Sequence, residues 1–290
     1  MGANVRFPTD ATNILKLADW LELLALRSAD GNASAGDLHR ELKRLGAGNW
    51  EAAAGQAFSE LEARREAAPR GYPFTIRGTL LEQKNGWRDF VPYVFCLLVS
   101  SRGEKAKPVK NLNPDRLFER LACEAARAYL GGKVLRFGSP RDELPTSFRE
   151  AVNELCRRFG EGQGCQAKPT RWKKDDGLDV VAWKPFPDGL SGKVILFGQC
   201  ATGEDWAGKM YECAVFRDIW IERPGPSPIL RSVFIPHRVE RDLWDDYVLK
   251  ANLLFDRCRI ADLVRARQQV QTLTEQCTTW CTGVFDRMKA

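Results

Sequence analysis

Two short apolar segments joined through a turn constrain this chain more than any other feature. Residues 178–183 (LDVVAW) and 193–199 (KVILFGQ) are rich in β-branched and aromatic residues, and Pro187-Asp188-Gly189 lies between them. Runs of this length bounded by turn formers read as strands. An acidic cluster, Asp175, Asp176 and Asp179, opens the first, and the polar Gln199 closes the second. The segments around them keep a helical period. Asn113-Pro114 opens a helix over 115–130 that Gly131-Gly132 closes, and 145–159 places Phe148, Val152, Leu155 and Cys156 on one face before the break at 160–164. Further short strands are expected at 133–138, 232–236 and 253–255, and helices over 204–213 and 238–250. A long final helix is expected over 260–288. Alternating helices and strands predict an α/β protein, a mixed sheet with helices on its faces.

The first hundred residues follow another pattern. Residues 11–27 carry Ile14, Leu17, Leu21 and Leu24 at helical spacing, with Asp10 as the expected cap and a loop over 28–35. Two further helices are expected at 37–45 and 50–66. Such a beginning suits a DNA-reading winged helix or a module for packing or partner binding. Residues 72–83 and 88–101 are expected to be strands, with Asn85-Gly86 as their hairpin turn. The second run, FVPYVFCLLVSS, is also apolar enough for a buried helix. The basic, proline-containing stretch RGEKAKPVKNLNP marks the expected domain boundary, between a helical and mixed module over 1–105 and a main domain over 112–290 with a C-terminal helical extension.

Composition narrows the chemistry. Only two histidines, His39 and His237, occur among 290 residues, which disfavours histidine-rich zinc hydrolases and Ser-His-Asp hydrolases. Carboxylates, amides and lysines remain as candidate catalytic groups. The nine cysteines form no CxxC pair and are expected to be buried thiols. The first residues lack the apolar core of a signal peptide, and the longest apolar run is too short for a bilayer, so a cytoplasmic protein with no membrane partner is expected. A net charge of +6 suits a polyanionic partner.

The passages KKDDGLDVVAW and GKVILFGQCATG bring oxygen donors to the ends of neighbouring strands. Phosphodiester hydrolysis needs such convergence, because a divalent ion must be held by oxygens while it activates water. Taken with LFERLACEAARAYLGG, these passages resemble the PD-(D/E)XK nuclease superfamily, the restriction-endonuclease-like fold. The resemblance covers residues 114–213. Asp179 matches the family aspartate, Gln199 the glutamate-or-glutamine position, and Glu119 the helical glutamate. It implies magnesium or manganese held by Asp179, Gln199 and Glu119, with the backbone carbonyl of Cys200 as a further ligand. It also implies DNA cleavage, plausibly in restriction or anti-phage defence beside a partner ATPase or sensor. The family lysine would fall at Ala201, so the lysine must come from elsewhere: Lys209 first, Lys174 second. Ala201 equally supports an inactive nuclease fold that binds nucleic acid or scaffolds a complex. A third reading is a pure interaction protein that uses its terminal helices.

Around these motifs, Lys105, Lys107, Lys110, Arg136, Arg141, Arg171 and Lys173 are expected as a phosphate-binding rim or a solvated surface. Trp172, Trp183 and Trp206 are expected to pack. The final helix carries Arg257, Arg259, Arg265 and Arg267 near its start, then Val270, Leu273, Cys277, Trp280 and Val284 as a face for the core or for a homo-oligomer.

Overall fold

The computed structural model describes residues 5–46, 49–102, 106–166, 168, 174–211, 213, 215–265 and 270–288. The chain begins with α1 (Ile14–Arg27), β1 (Asn32–Ser34), α2 (Ala35–Arg44), α3 (Trp50–Ala67), β2 (Phe74–Arg77), β3 (Leu80–Gln83) and α4 (Val91–Arg102). Next come α5 (Pro114–Leu130), β4 (Lys133–Arg136), α6 (Phe148–Phe159), β5 (Val180–Lys184), β6 (Val194–Cys200), α7 (Phe216–Trp220), β7 (Ile229–Phe234), α8 (Trp244–Ala251) and β8 (Leu253–Phe255). The chain ends with α9 (Arg257–Arg265) and α10 (Gln271–Arg287).

These elements form two compact units. One holds Met1–Pro114, His237–Glu240 and Arg257–Ala290, and the other Asp115–Pro236 and Arg241–Asp256. The division differs from the expected one, because the C-terminal helices belong with the N-terminal unit and not with the main sheet.

In the first unit, β1, β3 and β2 form an antiparallel sheet in that order. Local chemistry sets its helix starts. Asn13, not Asp10, caps α1 by accepting from the Lys16 amide at 3.0 Å, while Asp10 accepts from Thr12. Ser34 and Asp37 form a reciprocal capping box at α2. The hairpin turn falls at Gly78-Thr79, ahead of Asn85-Gly86. Of the two readings of 88–101, strand and buried helix, the helix holds: a 3₁₀ turn, Trp87–Phe90, is followed by α4. Residues 91–99 of α4 are all buried. Such a run is stable as a helix covered on every side, and Pro92 in the first turn costs no hydrogen bond there, whereas in a central strand it would remove one.

A buried ion network ties this unit together. The Arg64 guanidinium donates to Asp19 (2.7 Å), Glu22 (2.8 Å) and Glu60 (2.7 Å). Arg257, from α9, donates to both oxygens of Asp19, and Arg238 donates to Glu60. The Tyr72 and Tyr93 hydroxyls donate to Glu22. Arg64, Arg257 and Glu22 are fully buried. Burial pushes the Glu22 carboxyl up, whereas at Asp19 the two arginines outweigh burial and hold the carboxyl down. The unit is therefore built from both ends of the chain. The apolar face of α10 joins the same core: Cys277, Trp280 and Val284 are buried, Trp280 lies edge-on to Phe95, and its indole donates to the Lys107 carbonyl. Cys277, Trp280 and Val284 thus pack on the core, the first of the two readings of this face, while Val270 and Leu273 stay half-buried.

In the second unit the sheet order is β4-β5-β6-β7-β8. The first three strands run antiparallel, and β6, β7 and β8 run parallel. Four successive residues of β5 are buried, so both faces of the sheet are covered. One face packs Phe137, Val181 and Phe197 against Phe148 and Leu155 of α6 and Phe216 and Trp220 of α7. Phe216 meets Phe137 and Phe197 edge to face. Gly160, left-handed at φ +74°, ends α6 as expected. The helix expected over 204–213 is only a 3₁₀ turn, Trp206–Lys209, and the one expected over 238–250 narrows to α8 after a 3₁₀ turn. The single long final helix expected from residue 260 is two helices, α9 and α10.

Candidate functional site

Pairing of β5 with β6 sets Val180 opposite Gly198, so the residue before β5 meets the end of β6. Asp179 is that residue. Its amide donates to the Gly198 carbonyl at 2.9 Å, and its carbonyl accepts from the Phe137 amide at 2.7 Å. Its carboxylate is aimed by a hydrogen bond, not by strand alternation alone: one oxygen accepts from the Cys200 amide at 2.8 Å. Asp179 is thereby fixed at the point where β4, β5 and β6 come together.

Glu119 reaches the same point from α5. Asp115, at the start of α5, accepts from the Thr202 hydroxyl just beyond β6 at 2.9 Å. One turn later Glu119 faces Gly138, which follows β4. A Cβ at position 138 would lie 2.5 Å from a Glu119 oxygen and 3.0 Å from an Asp179 oxygen. The two carboxylates therefore share a cradle that only glycine leaves open. Arg136 of β4 closes one side, donating to Glu119 and to the Pro140 carbonyl, with Asp142 at 3.3 Å. Asp175 closes another, accepting from the Ser139 amide at 3.2 Å.

The electrostatics follow. Burial, then the neighbouring Glu119 and Asp175, push Asp179 up to about 8 against the Cys200 amide and Arg136. Burial also raises Glu119, and Asp175 and Asp115 add to this against Arg136. Burial, then Asp179 and Glu119, raise the Cys200 thiol well above its usual range, so the sulfur stays protonated and offers no thiolate to a metal. The cradle holds more carboxylate than its arginine neutralises.

Not every expected residue joins it. Gln199 is buried in β6, paired with Val233 in β7, one residue before the amide that anchors Asp179. Ala201 is buried. Lys209 lies on the 3₁₀ turn with its amine 3.8 Å from Asp205. Lys174 is exposed, and its carbonyl accepts from Arg141. Of the expected rim, Arg136 is buried against Glu119, and Arg141 stacks on Phe137 at 4.6 Å. Arg257 belongs to the ion network, and Arg265 sits over the Phe90 ring. Trp183 packs in the core and Trp206 against Tyr247. Lys105, Arg171, Trp172, Lys173 and Arg267 lie outside the described residues. Sequence reasoning missed Gly138 and the role of Asp175. The adjacent acids Asp175 and Asp176 were the available signal for the latter.

The donor set fits a divalent cation. Two carboxylate oxygens converge on one cradle, and burial with neighbouring carboxylates raises their proton affinities, a cost that a cation would relieve. Among the described residues no group of three or more His, Cys, Asp or Glu side chains is arranged as a metal site. Magnesium commonly takes only one or two carboxylates from a protein and completes its shell with water and phosphate oxygens. Closing the cradle tests this: Gly138→Ala is expected to weaken manganese binding at least tenfold in a calorimetric titration while the far-ultraviolet circular dichroism spectrum is kept.

Among the described residues no helix is long and apolar enough to cross a membrane. Compared with models of protein families, with characterised proteins and with solved structures, the chain matches none.

Proposed function

We propose that the second unit is a magnesium- or manganese-dependent nuclease of the PD-(D/E)XK type that hydrolyses DNA, acting in restriction or anti-phage defence. The observation that carries this reading is the Gly138 cradle shared by Glu119 and Asp179. The order of elements supports it: a helix with Glu119, a second helix, Asp179 at a strand start, a hairpin, and a strand ending in Gln199. The bound cation would polarise the phosphoryl group and activate the attacking water. Asp179, held by the Cys200 amide, and Glu119, held by Arg136, would be its carboxylate ligands. Gln199 and the Cys200 carbonyl would complete the donor set from β6. Arg136, always charged, would hold a phosphoryl oxygen once Glu119 turns to the cation. Lys209 would orient the nucleophile. Its present partner Asp205 is largely exposed, and such pairs contribute only about 0–1 kcal/mol, so exchanging it costs little.

Ala201 favours a second reading, an inactive nuclease fold that binds nucleic acid or scaffolds a complex, because no lysine stands at the family position. Plasmid and linear DNA incubated with magnesium or manganese separate the two. Under the first reading the wild type cuts and Asp179→Ala reduces the rate at least a thousandfold. DNA bound but left intact by the wild type favours the second. Cleavage that survives Asp179→Ala puts the active site elsewhere.

A further inference from the structure

At the opposite end of β4 from the carboxylate cradle lies a cavity of about 490 Å³, lined by Arg127, Lys133, Arg157, Arg158 and Trp183. This volume lies within the range of ligand pockets. Its walls come from the ends of α5 and α6, the start of β4 and the end of β5. Helix C-termini attract cations through their dipoles, which accounts for the three arginines. It does not account for Lys133, a strand residue that is exposed and has no ion-pair partner among the described residues. Nor does it explain Lys184, whose amine lies 3.7 Å from where a Gly131 Cβ would stand. The acids nearby are shared out thinly. Glu154 serves both Arg157 (2.6 Å) and Arg158 (2.8 Å), Glu143 is 3.4 Å from Arg158, and Glu124 is 3.0 Å from Arg127. Among the described residues four cations line this concave wall, Arg127, Lys133, Arg157 and Arg158, and no carboxylate lines it. The pairs are on or near the surface, where a phosphate displaces a carboxylate at little cost.

β4 is the edge strand of the sheet. From Lys133 to Gly138 is five residues, about 17 Å at roughly 3.3 Å per residue, or about five nucleotide steps at about 3.4 Å each. The separation of cavity and cradle therefore matches about five nucleotides of backbone. We propose that the cavity is a phosphate grip for the backbone of a nucleic acid, placed to hold the strand away from the point of cleavage. The purpose of the grip rests on the nuclease reading of the cradle; its existence does not.

The test measures binding of a fluorescein-labelled 20-base-pair DNA duplex by anisotropy, in EDTA so that nothing is cut. Lys133→Ala/Arg157→Ala is compared with Arg241→Ala/Lys250→Ala, which removes the same charge from exposed positions elsewhere on the same unit. The cavity variant is expected to bind at least tenfold more weakly, and the slope of log K against log salt to fall by about two. The control variant is expected to stay within twofold of the wild type. Equal losses in both variants, or no duplex binding by the wild type, overturn the proposal. So does wild-type binding of inorganic pyrophosphate without binding of duplex, which would make the ligand a small phosphate compound. Cleavage assays of the same proteins separate the two claims. A grip that holds in a protein that never cuts leaves only the cradle reading wrong. Duplex binding unchanged by the cavity substitutions, in a protein that loses cleavage with Asp179→Ala, leaves only the grip wrong.

Discussion

Asp179→Asn is expected to stabilise the metal-free protein at alkaline pH, by on the order of 2 kcal/mol at pH 9, while leaving stability at pH 4 nearly unchanged. Asp179 is raised to about 8 in the folded chain, first by burial and then by Glu119 and Asp175, from an ordinary value of 3.8. Between those two values the folded chain holds a proton that the unfolded chain has lost. Stability is therefore greatest below pH 4, falls as pH rises through the window, and reaches its floor above about pH 8. Asparagine removes the charge yet still offers an oxygen to the Cys200 amide, so the fold keeps its anchor. The full difference in proton affinity would amount to about 6 kcal/mol, and the water that reaches a partly exposed carboxylate reduces it. Thermal unfolding of wild type and variant from pH 4 to 9 measures the effect. Parallel curves would show that Asp179 is ionised throughout.

Arg64→Ala is expected to cost about 3–5 kcal/mol in urea unfolding of the first unit. Arg64 is fully buried and joins Asp19, Glu22 and Glu60. Truncating it leaves those carboxylates to Arg257 and Arg238, and Arg257 is 3.4 Å from Glu22. A buried carboxylate short of a partner must pick up a proton or admit water, and either outcome loosens α1, α3 and α9 together. The loss is also expected to shrink as pH falls, because Glu22, already raised by burial, then protonates in the variant. A loss below 1 kcal/mol would mean that the unit does not depend on the network.

Much of the second unit was legible because its signals are local. Pro114 and Gly131 bracket α5, Gly160 ends α6, and β8 falls at the expected residues 253–255. The first unit was less legible where tertiary burial overrides pattern. α4 is apolar on every side, so no period distinguishes helix from strand, and only Pro92 argues against the strand. The return of the C-terminal helices was invisible, since Arg257 meets Asp19 across 238 residues. The candidate site divides in the same way. Asp179 and Glu119 stood out through their order along the chain. Gly138 and Arg136 did not, because their roles arise only when α5 comes against the end of β4. Lys209 follows Gln199 closely in sequence, yet its amine rests near Asp205.

We propose that Glu119 and Asp179 together hold one divalent cation at Gly138. Manganese titrated by calorimetry into the wild type and Asp179→Asn, at pH 6.5 and 8.5, tests it most directly. One site is expected in the wild type, tightening at least tenfold at the higher pH, since Asp179 must give up its proton to bind. Binding in the variant is expected to be at least a hundredfold weaker, with no pH dependence from this group. Equal manganese affinity in wild type and variant would contradict it.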